Sequence, residues 1–150
     1  MGSAPSPDPD FFCARPGLKL KDRYEVLRKL GSGVCSSTWL ISDSKAEYGG
    51  KYLAAKILSL DATQQHRTGV MRELEFLETI RKQDDIDSLP VLYDDIEIQG
   101  PRGSHLCFLM DLLSSDVSSF RRNAPNRALK PYIVKNIIAQ VLEALVQLHA

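Results

Sequence analysis

The chain has 150 residues, 43% hydrophobic and 25% charged, which is ordinary for one globular domain. Its 19 Lys and Arg residues balance its 19 Asp and Glu residues, so it lacks the basic excess typical of proteins that bind nucleic acid or acidic membranes. No apolar run approaches the roughly 20 residues of a membrane span, and no secretory signal is recognisable. We therefore expect a cytoplasmic or nuclear protein with no nucleic-acid or membrane partner.

The amino-terminal end differs from the rest in composition. Residues 1–19 are rich in proline, serine, aspartate and glycine, which predicts a disordered tail. From residue 20 onward, five segments have the apolar alternation of strands, and glycine-containing turns, one at Gly49 and Gly50, predict antiparallel pairing. These segments are DRYEVLRKLG, STWLISDS, KYLAAKIL, VLYDDIEI and HLCFLMDLL.

Three helices are predicted among and after these strands. The first runs from about residue 63 to residue 82, because apolar residues recur there at helical spacing: Val70, Leu74, Leu77 and Ile80. A short helix is predicted in SSDVSSFRR and a long one from Pro131 onward. The long helix is apolar on most sides, so we expect a partner or further chain to cover it. Strands followed by helices predict an α+β fold.

Two glycines one residue apart, Gly31 and Gly33, lie between the first two predicted strands. A Walker-type loop would need Gly-Lys-Ser/Thr, and a dinucleotide loop would need a third glycine before a helix. Neither pattern is present, since Ser36 stands at the third position and a strand-like run follows. A glycine-rich hairpin over phosphates and a plain hairpin turn remain as alternatives.

Two charged residues favour the phosphate-binding alternative. Lys56 lies in the apolar run LAAKIL, where a lysine is costly unless a counter-ion accompanies it. Glu73, on the predicted helix beside its apolar face, is the expected partner, whereas Glu75 is expected on a solvated face. A lysine held by a helix glutamate is the protein-kinase arrangement for ATP phosphates.

The segments DRYEVLRKLGSG, STWL, LAAK, RELEFL and HLCFLMDLL, in this order, resemble the amino-terminal lobe of a eukaryotic Ser/Thr protein kinase. Trp39, Ser36 and GSHLCFLMDLL make the chain similar to the SR-protein kinases, especially the fungal ones. The resemblance implies a five-stranded antiparallel sheet with one helix. Residues 20–113 would form the lobe and hinge, and residues 114–150 the first helices of the carboxy-terminal lobe.

The resemblance also implies an ATP site. Leu30 and Thr38 would flank the adenine, with Met110 as gatekeeper, while the Asp111 carbonyl and the Leu113 amide would bond the adenine edge. Lys56, paired with Glu73, would hold the α- and β-phosphates. The hairpin would cover the phosphates, chiefly through backbone N–H groups, with residues Gly31, Ser32, Gly33, Val34, Cys35, Ser36 and Ser37.

The groups that transfer phosphate are missing from these 150 residues. They contain no His-Arg-Asp catalytic loop and no Asp-Phe-Gly segment. We therefore expect a kinase fragment that is inactive alone, with magnesium and an Arg/Ser-rich protein substrate bound only in a longer form. The alternative is a non-catalytic, pseudokinase-like module that binds nucleotide or a partner.

The other candidate ligands carry no motif. The three cysteines contain no Cys-x-x-Cys pair and are read as free thiols, so no metal site is predicted. His66 and His105 are interpreted as surface residues. Five aspartates in and before VLYDDIEI are interpreted as solvent-exposed surface residues: Asp84, Asp85, Asp87, Asp94 and Asp95.

Overall fold

The computed structural model describes residues 8–46, 51–83 and 88–149. One antiparallel sheet has the strand order β1-β2-β3-β4-β6-β5. Its strands are β1 (Lys19–Leu20), β2 (Tyr24–Ser32), β3 (Ser36–Asp43), β4 (Tyr52–Leu58), β5 (Leu92–Gly100) and β6 (Gly103–Met110). The helices are α1 (Leu60–Arg67), α2 (Glu73–Arg81), α3 (Val117–Asn123) and α4 (Pro131–His149), with a 3₁₀ turn at Pro125–Arg127.

The α+β class and the antiparallel pairing agree with the sequence, but the count of five strands is wrong. The sixth strand is β1, which pairs with β2 through Lys19 opposite Glu25 and Leu20 opposite Tyr24. Two residues are too few to produce a visible alternation, and they lie at the edge of the segment assigned to the tail.

The single helix predicted between β4 and β5 is in fact two helices. The Ser59 hydroxyl caps α1 by accepting from the Ala62 amide at 3.1 Å. The helix ends at Arg67 with Thr68 as its C-cap, and Gly69 has a φ of +76°, the left-handed conformation that terminates helices. Val70, predicted on the apolar helix face, lies in the connection and is 73% exposed. The break makes Glu73 the first residue of α2.

The two faces of the sheet carry separate apolar clusters. The outer cluster comprises Leu20, Tyr24, Val26, Trp39, Ile41, Leu53, Ala55, Ile57, Ile98, Cys107 and Leu109. The inner cluster comprises Leu58, Ala62, Leu77, Leu92, Leu106 and Phe108, with Cys35, Met71, Leu74 and Met110 packed against it. Alternation along each strand sends successive side chains to opposite clusters.

Residues 8–18, the N-terminal segment, lie across the outer cluster. Phe12, Ala14 and Leu18 pack against it. The Leu18 carbonyl accepts from the Val26 amide at 2.8 Å, and the Asp10 carbonyl accepts from the Leu60 amide at 2.9 Å. This differs from the prediction of disorder as far as residue 19. The prolines of this segment make its composition typical of disorder. Composition does not show that the apolar side chains between the prolines pack against an exposed face of the sheet.

The two helices predicted after β6 are present. Asp116 caps α3 by accepting from the Ser119 amide at 2.7 Å, and α4 begins at Pro131. None of the described side chains of α4 is buried. No helix within the described ranges is both long and apolar enough to cross a membrane. The predicted turn at Gly49 and Gly50 and the acidic group at positions 84–87 lie outside the described residues.

Candidate nucleotide-binding site

The glycine-containing hairpin joins β2 to β3. Its turn is closed by the Gly33 amide, which donates to the Ser36 carbonyl at 2.8 Å. Gly31 lies opposite Thr38, and the pairing slips by one residue between Lys29 and Gly31. A Cβ added to Gly31 would meet nothing within 4 Å, and Val34 at the tip is 97% exposed. The backbone of the hairpin is therefore open to a ligand.

Below the hairpin, the sheet and the segment after β6 enclose a cavity of about 380 Å³. The strand register places Thr38 opposite Lys56, and Ala54 opposite Met110. Seven of the predicted site residues line this cavity: Leu30, Gly31, Thr38, Lys56, Met110, Asp111 and Leu113. Ala54, Pro90, Leu112 and Ser114 complete the lining and were not predicted.

The predicted lysine–glutamate pair is present at this cavity. Lys56 Nζ lies 2.5 Å from Glu73 Oε1, and the two side chains are 29% and 33% exposed. The lysine is thus partly buried beside its counter-ion and remains accessible from the cavity. Glu75, two residues further on, pairs with Arg72 on the exposed side of α2, as expected for the solvated alternative.

A hydrogen bond to the side chain of Asp111 fixes the start of the chain segment that follows β6. Tyr93 donates its hydroxyl to Asp111 Oδ1 at 2.7 Å. This hydrogen bond to a carboxylate, with partial burial, raises the pKa of the Tyr93 hydroxyl. Because the Asp111 carboxylate is held by Tyr93, the backbone of the following residues is positioned along the cavity wall.

Other predicted residues lie away from the cavity. The Ser37 side chain is buried on the outer face, where its Oγ accepts from Trp39 Nε1 at 3.0 Å. Ser32 and Gly33 line a separate outer-face cavity of about 820 Å³ beside the N-terminal segment. The remaining hairpin residues, Val34, Cys35 and Ser36, do not line the inner cavity either. Of these three, Cys35 packs against the inner cluster.

Two histidines interpreted as surface residues are in contact with the core. His105 is buried, and its Nδ1 lies 2.8 Å from the Leu58 carbonyl oxygen. His66 packs edge-on against Phe108, whose strand neighbour is Lys56. Burial lowers the pKa of His66, with the nearby Glu73 opposing this shift. No local motif distinguishes either histidine, so their contact with the core is visible only in the three-dimensional structure.

No group of three or more His, Cys, Asp or Glu side chains in the described part of the chain is arranged to hold a metal ion. The carboxylates Asp94 and Asp95 are partly buried on β5 rather than fully solvated. Burial is the main cause that raises the pKa of Asp95, and Glu78 and Asp94 raise it further.

The antiparallel sheet, the helix α2 and its ion pair to β4 form a fold like the amino-terminal lobe of a protein kinase. Comparison with known proteins agrees, although no family model matches the chain. The human SRSF protein kinase 3 is 28% identical over an alignment of 152 positions that covers 95% of this chain and 26% of the relative.

The serine/threonine-protein kinase SRPK of Physarum polycephalum is 30% identical over 141 residues, which is 93% of this chain and 32% of the relative. Protein kinase dsk1 of Schizosaccharomyces pombe is 31% identical over 131 residues, 85% of this chain and 23% of the relative. These matches confirm that the chain is SR-protein-kinase-like. The chain spans a third or less of the length of these curated relatives.

Proposed function

We propose that the chain is the ATP-binding part of a Ser/Thr protein kinase of the SR-protein type. The observation that supports this most is the Lys56–Glu73 pair beside the inner cavity. In the longer protein, ATP would donate its γ-phosphoryl group to a serine or threonine of a protein. The name of the SRSF protein kinase 3 relatives favours an SRSF protein as substrate, which the resemblance to SR-protein kinases implies to be Arg/Ser-rich. A location in the cytoplasm or nucleus is part of the proposal.

The side chains around the cavity suit the parts of ATP. The apolar faces of Leu30 and Ala54 fit a planar adenine, with Met110 at the rear. Backbone groups of Asp111 and Leu113 would bond the adenine edge. The ammonium of Lys56 would neutralise phosphate charge, because an opposite charge at hydrogen-bond distance is worth most in a partly desolvated site.

Glu73 would act by holding the lysine in position. The hairpin would supply backbone N–H groups to the phosphates, a role that needs no particular side chain at Cys35 or Ser37. Magnesium would be bound by carboxylates of the longer protein, since the 150 residues contain no Asp-Phe-Gly aspartate. We assign residues 20–113 to the lobe and hinge, and residues 114–150 to the first helices of the second lobe.

The second candidate is a module that binds nucleotide without catalysis. The hairpin with Gly31 and Gly33 and the Lys56–Glu73 pair favour it, because nucleotide binding alone uses these groups. Reading the transcript beyond codon 150 distinguishes the two functions. In-frame segments like His-Thr-Asp-Leu-Lys and Asp-Phe-Gly support the kinase, and a stop codon directly after codon 150 supports the module.

Nucleotide binding itself is tested by thermal denaturation of the 150-residue chain with ATP. A hundredfold excess over the dissociation constant should stabilise it by about 2.7 kcal/mol. Lys56→Ala should remove most of this stabilisation, while Lys135→Ala on the exposed surface of α4 should leave it unchanged. Absence of a shift at millimolar ATP, or an equal shift in Lys56→Ala, would rule out the proposed site.

A further inference from the structure

The outer-face cavity lies between the sheet and the N-terminal segment, on the face opposite the cavity proposed for ATP. Its volume of about 820 Å³ is within the range of roughly 300–1,000 Å³ that is typical of ligand sites. Its walls come from the N-terminal segment, from β2 and β3 near the hairpin, and from the end of β5 with the turn that follows. The function proposed above leaves this space unassigned.

The lining of the outer-face cavity is largely apolar and extends across several strands. Phe11 and Leu18 contribute from the N-terminal segment, and Trp39 contributes from the sheet. In the sheet, β4 and β6 lie between β3 and β5, both of which supply lining residues. Since neighbouring strands are about 4.8 Å apart, the cavity is elongated across the sheet. An extended apolar ligand therefore fits it better than a compact one.

Two positive side chains line the cavity without a carboxylate partner. Arg15 and Lys29 are exposed, and neither forms an ion pair within the described part of the chain. Lys29 is the strand partner of Trp39, and its Nζ lies 5.8 Å from the centre of the indole ring. Asp8 is the one carboxylate among the described lining residues, and its Oδ1 accepts from the Asp10 amide at 3.0 Å. The cavity thus has a surplus of positive charge beside its apolar wall.

We propose that the outer-face cavity binds a free long-chain fatty acid, whose carboxyl group is ionised at neutral pH. The carboxylate would lie at Arg15 and Lys29, and the alkyl chain would lie on Trp39, beneath Phe11 and Leu18. This occupant matches both the elongated apolar wall and the unbalanced positive charge. A cationic amphiphile matches only the wall, and a short carboxylate matches only the charge.

The outer-face cavity shares the hairpin with the cavity proposed for ATP. Ser32 and Gly33 line the outer-face cavity, whereas Gly31 lines the inner one. A bound fatty acid would therefore contact the hairpin from the side opposite the nucleotide. The inference does not rest on the proposed function, and binding is measured without ATP. A failure here is thus distinguishable from failure of the proposed ATP site.

The test is isothermal titration calorimetry of the 150-residue chain with dodecanoate below its micelle threshold. We expect a dissociation constant below about 100 µM. Two compounds serve as controls: dodecyltrimethylammonium, which has the same chain and the opposite charge, and butanoate, which has the same headgroup and a short chain. Each buried CH₂ group tightens binding about fourfold, so butanoate should bind at least about tenfold more weakly. The cationic control should bind at least about threefold more weakly.

Trp39 reports where the fatty acid binds, because it is the single tryptophan of the chain. Bromine quenches tryptophan fluorescence at contact distance, so dodecanoate brominated at mid-chain should quench Trp39 at the concentrations where calorimetry detects binding.

Variants then identify the side chains that hold the ligand. Arg15→Gln with Lys29→Gln should weaken dodecanoate binding by about threefold or more. The same change in net charge, made with Lys130→Gln and Lys135→Gln at the exposed start of α4, should not. Phe11→Ser should weaken binding by about threefold or more, because Phe11 lines the cavity without belonging to the outer cluster.

Three outcomes would overturn the proposal. The first is that dodecanoate fails to bind, or binds no better than its two controls. The second is binding heat without quenching of Trp39, which would place the acid elsewhere, as on the exposed apolar side chains of α4. The third is an equal loss in the two charge variants, which would indicate non-specific attraction. Circular dichroism melts verify folding, and the charge variants alone decide if Phe11→Ser unfolds the chain.

Discussion

The Lys56–Glu73 ion pair yields a quantitative prediction for the chain without ligand. The atoms are 2.5 Å apart, and the side chains are 29% and 33% exposed. Fully exposed pairs contribute about 0.2–1 kcal/mol, and hydrogen bonds to charged groups about 1.5–3 kcal/mol. Partial exposure places this pair between the two ranges, so we expect a coupling free energy of about 1–1.5 kcal/mol.

The assay is a double-mutant cycle of Lys56→Met and Glu73→Gln, with the free energy of unfolding of each variant measured in urea. Arg72 and Glu75 form the matched control, because their side chains are 55% and 56% exposed and lie three residues apart at the start of α2. That pair should give about 0.3–0.5 kcal/mol. A Lys56–Glu73 coupling no larger than the control would refute the reasoning that the lobe holds this lysine in place.

Three further predictions concern the sheet. Gly100→Ala should destabilise the chain by about 1–3 kcal/mol in urea unfolding, since the new Cβ would lie 2.9 Å from the ring of the buried His105; an unchanged stability would contradict this. Asp43→Asn should cost about 1–2 kcal/mol near pH 7. Because the hydrogen bond from Arg23 lowers the pKa of Asp43, that cost should shrink as the pH falls below about 4, and a cost independent of pH would argue against it. Burial raises the pKa of Cys107 to about 12, so a thiol reagent at neutral pH should modify it only after denaturant is added, as peptide mapping would verify.

Much of the sheet could be predicted from the sequence, because a strand with two different faces leaves a period of two in its residues. The same period explains why Lys56 could be placed with its partner. Its neighbours Ala55 and Ile57 are buried in the outer cluster, which leaves the lysine on the inner face. Applied to β3, the same period puts the Ser37 side chain on the outer face beside Trp39, so only the backbone of Ser37 is available for the predicted role.

Other features depend on contacts distant in the sequence. A histidine such as His105 is polar by composition, and only the Leu58 carbonyl beside it makes burial favourable. The helix break at Gly69 was hidden by apolar residues that continue through it.

The N-terminal segment determines how far this lobe could be shortened at its amino end. Sequence alternation suggests residue 20 as the cut, but the outer cluster would then lose Phe12, Ala14 and Leu18. The Leu60 amide would also lose its acceptor, the Asp10 carbonyl. A recombinant lobe beginning at residue 20 would therefore expose an apolar, aggregation-prone sheet face to solvent. A lobe beginning at residue 8 would keep that face covered.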